Sequence, residues 1–233
     1  MFNKKMKAVT FSYDDGVKQD IRLIDIFNKY RLKATFNLNS ELLGQDGYLI
    51  RENRRINHIK NSPLDIKKIY EGHEVAVHTL THPNLTTIDD EEIIRQVEQD
   101  RINLSALVGY EVIGMAYPCG GTNNNRHVAD IIRNCTKIRY ARTITSSHSF
   151  DLQDDLFRFN PTAYHHDEMD MMFELGKKFI DMKADSPQIL YIWGHSYEFD
   201  IRDDWSRFER FCRLICDHND IFYGTNKEVL FSY

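Results

Sequence analysis

The chain has little cysteine, and what it has is scattered. Cys119, Cys135, Cys212 and Cys216 are too few and too unevenly placed for a disulfide framework. Cys212 and Cys216 stand four apart inside the helical pattern WSRFERFCRLICDHN, so the four read as reduced core thiols of a cytoplasmic protein. Glycine (11) and proline (5) are also scarce among the 233 residues, which excludes collagen-like and Gly/Pro-rich chains. A content of 42% hydrophobic against 28% charged residues excludes a mostly disordered one. No uncharged apolar run approaches the ~18–20 residues of a membrane span, so no membrane association is expected. The opening MFNKKMKAVTFSYDD reaches Asp14 before an apolar stretch of ~7–15 residues is complete, and it reads as a first strand rather than a signal peptide. Concentrated basic charge is missing too: 30 Lys+Arg against 35 Asp+Glu leave −5, and nucleic acid is not an expected partner. Neither G-x-G-x-x-G after the first strand nor G-x-x-x-x-G-K-[ST] anywhere is found, so the usual signs of a dinucleotide or P-loop site are lacking. Nothing in the pattern addresses the oligomeric state.

What is present is an alternation of two periodicities. Residues 7–13, 33–38, 73–78, 112–117, 139–144, 156–160, 188–193 and 221–223 read as strands. Between them, residues 17–30, 89–107, 126–134, 168–182 and 202–217 carry helical spacing, and a short helix follows Ser62 and stops at Gly72. The longest, 89–107, opens on the acidic turn DDEE and aims Ile93, Ile94, Val97, Ile102, Leu104 and Leu107 inward. Residues 43–61 read as a polar connection. Repeated βα units without an internal repeat or a Pro/Ser linker indicate an α/β fold with a mainly parallel sheet, in a single domain over residues 1–233. Seven or eight strands point to a (β/α) barrel, and because such a barrel takes ~250 residues, a distorted one is expected. A flat doubly wound sheet is the alternative.

In both architectures ligand chemistry collects at the C-terminal ends of the strands. Four such ends carry unusual residues: Asp14-Asp15-Gly16, the HTLTHP run from His78 to Pro83, the YPCGG run from Tyr117 to Gly121, and Trp193-Gly194-His195. Each has a plain reading by itself. Asp-Gly suits a tight turn and Asp caps helices, and two histidines four apart can be one face of a helix. Here Pro83 disfavours α conformation at His82 and EVAVH is β-like, which puts the pair at a strand end and its loop. Two imidazoles and a carboxylate match the His₂-carboxylate sets of catalytic zinc sites, which leave a position open for water. Bound Zn²⁺ brings that water's pKa from ~15.7 to about 7. The same ligand set describes non-haem iron oxygenases. An adjacent second carboxylate and the remote His195 favour hydrolysis, which wants a base for the water proton and an acid for the leaving group.

FSYDDG, HTLTHP, AYPCG and LYIWGH, in that order, resemble the motifs of the polysaccharide deacetylases, the NodB-homology or carbohydrate esterase family 4 proteins. The resemblance runs over residues 7–195. It implies a distorted (β/α) barrel and a metal-dependent hydrolase that cleaves a non-peptide C–N bond by removing acetyl groups from N-acetylated sugars. It further implies Asp14 as catalytic base, and Asp15, His78 and His82 as ligands of Zn²⁺, with Co²⁺, Ni²⁺ or Mn²⁺ as substitutes. The Cys119 backbone N–H would hold the oxyanion and His195 would be the general acid. Tyr191 and Trp193 fall where apolar residues enclose the acetyl methyl, and Tyr117 joins them as a candidate substrate contact.

The departures matter as well. Where the family's third motif carries an arginine that steadies the base, this chain has Ala116; Arg142, on the RYARTI strand, is the candidate replacement. Of His165 and His166, adjacent residues that point opposite ways, at most one faces the site, and His166 is the candidate substrate contact. Glu198 and Asp200 are near enough in sequence to orient His195 but read as solvated loop carboxylates. His58, His73, His127, His148 and His218 carry no supporting pattern and read as structural. The same apparatus serves a cyclic amide or an O-acetyl ester, and a carbohydrate-binding pseudoenzyme is the alternative outside catalysis. The expected partner is an N-acetylated saccharide or a smaller N-acyl compound, selected by loops at 43–61 and 146–155.

Overall fold

The structure, a computed structural model, describes residues 2–232. Strand β1 (Lys7–Asp14) is buried at every position, as a central parallel strand covered on both faces must be. The other strands, in chain order, are β2 (Ala34–Leu38), β3 (Tyr48–Arg51), β4 (Arg54–Asn57), β5 (Glu74–Val77), β6 (Gly114–Ala116), β7 (Tyr140–Arg142), β8 (Ala163–Tyr164), β9 (Gln188–His195) and β10 (Ile221–Tyr223). All but the β3–β4 hairpin belong to one eight-stranded parallel sheet in the order β7-β6-β5-β2-β1-β9-β8, with β10 also on β1. One edge of β1 pairs with β9 along its whole length. The other edge is divided, Lys7–Val9 facing β10 and Phe11–Asp14 facing β2. The two ends of the sheet then curl toward each other. Phe159 exchanges hydrogen bonds with Ala141 O and Thr143 N, while Thr162 N–H donates to Tyr191 O, so residues 159–162 bridge β7 to β9. This is the distorted barrel expected from the alternation.

Strand alternation separates two layers of core. Val9, Phe11 and Tyr13 point outward under helices Gln19–Lys29, Met169–Asp181 and Trp205–Ile215, where Phe11, Tyr13, Phe27, Phe199 and Phe208 form an aromatic cluster with centroids 4.7–6.2 Å apart. Ala8, Thr10, Ser12 and Asp14 alternate to the barrel interior. Its floor is a separate apolar cluster of Phe2, Ala8, Tyr140, Phe159, Ile189, Tyr191, Val229 and Leu230.

Several expectations from the pattern need correcting. Residues 156–160 are not a strand: Leu156–Arg158 is a 3₁₀ turn, and Phe159 alone pairs. The polar connection 43–61 contains the antiparallel β3–β4 hairpin. The long helix is interrupted: α segments Asp90–Ile94 and Asp100–Val108 flank a π turn at Arg95–Gln99. The wide turn inserts a residue and rotates the apolar stripe, so Ile93, Val97, Leu104 and Val108 are buried while Ile102 is 46% exposed. A last helix, Asn226–Leu230, follows β10 and lies outside the periodic pattern; Thr225 and Glu228 form its capping box. All four cysteines are free, but only Cys212 is a core residue. No helix among the described residues is long and apolar enough to cross a membrane.

Candidate active site

Asp14, the last residue of β1, points into the top of the barrel, 1% exposed. Its Oδ1 accepts from Arg142 Nη2 at 2.6 Å and Asn37 Nδ2 at 2.7 Å, and its Oδ2 from Arg142 Nη2 at 2.5 Å. Arg142 ends β7 and is fully buried. Its Nε donates to Ser12 Oγ at 3.1 Å, and its guanidinium lies 4.4 Å over the Trp193 ring. Sheet register explains how it gets there: Ala116 and Arg142 are direct partners across β6 and β7, so a cation missing from one strand end is supplied by the facing position of the next. Burial pushes the Asp14 carboxyl up, but Arg142, His78 and His195 outweigh it and hold the group below its ordinary range.

Asp15 turns the chain out of the strand with φ +85°. Its carboxylate faces His82 Nε2 at 3.8 Å, and one ligand atom from each of Asp15, His78 and His82 lies within 4.8 Å of the others. His78 follows β5, where its N–H donates to Leu38 O and Asp100 Oδ2. The loop between the two histidines is tied to the π turn: Leu80 N–H donates to Gln96 O, Thr81 N–H to Gln96 Oε1, and Gln96 Nε2 to Thr81 Oγ1. His78 Nδ1 sits 2.9 Å from Ala116 O. A carbonyl only accepts, so Nδ1 carries the proton and Nε2 is left as the donor for a cation. Burial lowers the His78 pKa to about 4 and lowers that of His82 as well, keeping both imidazoles neutral as metal ligands must be. Two neutral nitrogens and a carboxylate oxygen, from the end of β1 and from the end of β5 with its loop, fit a divalent cation.

His58, which carries no supporting pattern in the sequence, and Lys60, which stands in no motif, converge on Asp15. His58 Nε2 lies 3.1 Å from Asp15 Oδ2. Lys60 Nζ lies 3.2 Å from Asp15 Oδ1 and donates to Asp15 O at 2.7 Å. Burial raises the Asp15 pKa, but Lys60 and the His58 hydrogen bond reverse the effect, leaving the group well below its ordinary value.

On the neighbouring strand, His195 ends β9 beside Asp14, its register partner. Its Nδ1 is 3.0 Å from Glu198 Oε1, and Glu198 Oε2 accepts from the His195 N–H at 3.0 Å. Glu198, which read as a solvated loop carboxylate, is 5% exposed. Burial works against the imidazolium, yet Glu198 and then Asp15 and Asp14 raise its pKa to about 9. Burial pushes Glu198 up, but His195, His165 and the Tyr164 hydroxyl together bring it down to about 2. Trp193 stacks on Tyr164 at 4.4 Å beside this pair. Tyr117, its hydroxyl donating to Phe157 O, and Cys119 with φ +69° complete the wall. Asn123 Nδ2 donates to the carbonyls of Tyr117, Pro118 and Cys119, which shapes that turn. Together these residues line a cleft of about 690 Å³, roofed on one side by Gln45, Asp46, Leu49 and Arg51 of the hairpin region.

Two candidate contacts lie elsewhere. Tyr191 pairs with Thr10, four residues below Asp14, roughly 13 Å down the strand at ~3.3 Å per residue. The Arg142–Trp193 layer covers it, and its hydroxyl accepts from Asn226 Nδ2 on the barrel floor. His166 faces the exposed Glu52 at 3.6 Å, outside the cleft. Its neighbour His165 points to the helix side, stacked between Tyr13 and Phe199 against Gly194, where any Cβ would collide with the ring. His165, His166 and Glu198 are close enough to consider as a second metal group, but Glu198 already receives His195 Nδ1, the His195 N–H and the Tyr164 hydroxyl.

Residues 2–136 match the Polysaccharide deacetylase family. A chitooligosaccharide deacetylase of Rhizobium leguminosarum bv. trifolii is 31% identical over 96 residues, 40% of this chain and 37% of the relative. A peptidoglycan-N-acetylglucosamine deacetylase of Bacillus cereus is 30% identical over 112 residues, 47% of this chain and 34% of the relative. The matches thus span little more than a third of these curated relatives. Among solved structures, the Bc1960 peptidoglycan N-acetylglucosamine deacetylase superposes with a TM-score of 0.59 at 16% identity, over 97% of this chain and 94% of that one. The Xyl-CE4 domain of a multidomain xylanase from the hindgut metagenome of Trinervitermes trinervoides gives 0.57 at 19%, over 99% and 91%. A CE4 family pseudoenzyme from Bacillus anthracis gives 0.54 at 20%, over 99% and 66%. With the family match extending over more than half of its length, and with a cleft assembled from the same strand ends that carry the motifs, the chain belongs to the polysaccharide deacetylase family.

Proposed function

We propose that residues 1–233 form one catalytic unit, a metal-dependent hydrolase that removes the acetyl group from an N-acetylated sugar or oligosaccharide. The observation that carries this reading is the convergence of Asp15, His78 and His82 within 4.8 Å beside a second, arginine-paired carboxylate, with a carboxylate-paired histidine on the adjacent strand end. Asp15, His78 and His82 would hold the divalent ion, Zn²⁺ by the nature of the donors. Such an ion, when bound, lowers the pKa of a coordinated water to about 7 and polarises an acyl oxygen. Asp14, ionised by Arg142, accepts the proton of the attacking water. The Cys119 N–H stabilises the charge that develops on the acyl oxygen. His195, kept protonated by Glu198, delivers a proton to the departing amine nitrogen, without which an amide cannot break. Trp193 and Tyr164 supply the flat apolar wall for the acetyl methyl.

The test is acetate release from N-acetylglucosamine oligomers, with O-acetyl esters and cyclic amides in parallel, by protein stripped with chelator and reloaded with Zn²⁺ or Co²⁺. Asp15→Ala, His78→Ala and His82→Ala should each lose metal and activity together. Asp14→Asn should keep metal near wild-type content and lose about 10²–10⁴ in turnover. Equal metal loss in Asp14→Asn would overturn the division of roles. Metal retained by all three ligand variants would overturn the site itself. A protein that binds metal through these residues but releases nothing from any substrate class would instead be a pseudoenzyme.

A further inference from the structure

We propose that Lys60 is a built-in electrostatic brake on the metal site, which lowers the affinity of Asp15, His78 and His82 for a divalent cation and so keeps the metal exchangeable. The inference rests on the metal reading above. Lys60 is 6% exposed, and its ammonium reaches Asp15 Oδ1, the same oxygen that faces His82 Nε2. A cation held by the three ligands shares that oxygen with Lys60 and sits in a partly closed cleft beside a fixed positive charge. Like charges at such separations repel strongly where water is largely excluded. The count of charges points the same way. Asp14 is balanced by Arg142 and Asp15 by Lys60, while Glu198 faces His195. A dication therefore enters surroundings whose carboxylates are already neutralised. Removing Lys60 leaves one net negative charge next to the donors.

Lys60 is not needed to hold the segment in place. The backbone is fastened on both sides of it: Lys60 N–H donates to Gln45 O, Lys18 N–H to Ile59 O, Asn61 N–H to Gly16 O, and Asn61 Nδ2 to Val17 O. Asp15 also keeps His58 on its other oxygen. Replacing the ammonium thus changes charge and leaves the positions of the donors supported.

The experiment is a chelator-competition titration of the full chain with Zn²⁺ and Co²⁺, with melting temperature read with and without metal. Lys60→Met should bind both ions at least about tenfold more tightly than wild type, with a larger metal-induced rise in melting temperature. Lys60→Gln, which keeps a donor for Asp15 O and guards against misfolding of the methionine variant, should tighten binding likewise. Lys60→Arg should stay within about threefold of wild type, because the charge remains. Unchanged or weaker binding in both neutral variants would overturn the brake and make Lys60 a support for Asp15. His78→Ala serves as the site control. If it binds as wild type does, or if no variant binds metal, the metal reading falls and the brake with it.

Discussion

Asp14 and Asp15 are neighbours in sequence with different partners. Asp14 ends a strand and meets Arg142 inside the barrel, whereas Asp15 begins a loop and meets His58 and Lys60 from the hairpin segment. The arginine is the sharper test of how the base is tuned. Arg142→Met removes the cation that opposes the effect of burial on Asp14, so the Asp14 pKa should rise. The base is then lost to protonation at a higher pH, and the acid limb of the kcat/KM profile should move upward while maximal turnover drops roughly 10²-fold. Breaking a fully buried pair also costs about 3–5 kcal/mol, so melting must be followed alongside. Arg142→Lys should recover part of the stability and return the acid limb toward wild type, and an acid limb that stays put in both variants would dissociate Arg142 from the base. Five of these residues were legible because each stands in a motif at a strand end: Asp14, Asp15, His78, His82 and His195. Arg142 was legible through a gap, the alanine at 116 where an arginine was due. Lys60 and His58 were not, since nothing local marks a loop residue that docks 45 and 43 positions back.

Strand β9 with the turn after it shows how one element sets both a position and a charge. Alternation puts Tyr191, Trp193 and His195 on the inner face, but the pairing Thr10, Ser12 and Asp14 opposite them grades the three by depth. Periodicity alone gives the face and not the depth, which is why Tyr191 read as a contact and proves to belong to the floor. The same limit explains the long helix, where the π turn at Arg95–Gln99 shifts the stripe without any residue that announces it. Glu198, three residues past His195, opens the short helix Glu198–Arg202 and folds back over Nδ1. Glu198→Gln should therefore release His195 from a pKa of about 9 toward lower values. A general acid must be protonated, so the basic limb of the pH–rate profile should move to lower pH. His195→Ala should keep its metal, lose about 10²–10⁴ on an amide, and lose much less on an activated ester whose leaving group needs no proton. Equal losses on both substrates, or a metal-free variant, would make His195 a ligand or a positioning residue.

Across the whole molecule, buried titratable groups join segments that are far apart in the chain, and they oppose one another in pH. Asp20 lies on the first helix, fully buried, accepting from Tyr70 Oη at 2.7 Å and Ser196 Oγ at 2.5 Å. It thus links residues 50 and 176 positions away. Burial raises its pKa to about 7, against the opposing effect of the two hydroxyls. A carboxyl raised in the folded state contributes stability that is complete below the unfolded value of about 4 and lost as pH rises through about 7. Asp100, raised by burial to about 7, behaves the same way. His73, lowered by burial to about 4, has the opposite sign, contributing above about 6.5 and losing its contribution as pH falls through about 4. Raw melting curves will blend these slopes, so the informative quantity is a difference between variants. Asp20→Asn keeps the shape of the protonated acid and cannot ionise; its Oδ1 still accepts from one hydroxyl, and the other turns to accept from its Nδ2. At pH 4 its melting temperature should equal or fall slightly below that of wild type, where Asp20 is already neutral. At pH 8 it should exceed wild type by on the order of 10 °C, given ~1.4 kcal/mol per pKa unit over a rise to about 7 and ~2–4 °C per kcal/mol in a chain of this size. The other groups are common to both proteins and cancel in that comparison. A difference of the same size at pH 4 and pH 8 would mean that Asp20 does not change its ionisation on folding, and that the hydroxyls of Tyr70 and Ser196 hold it charged on the first helix.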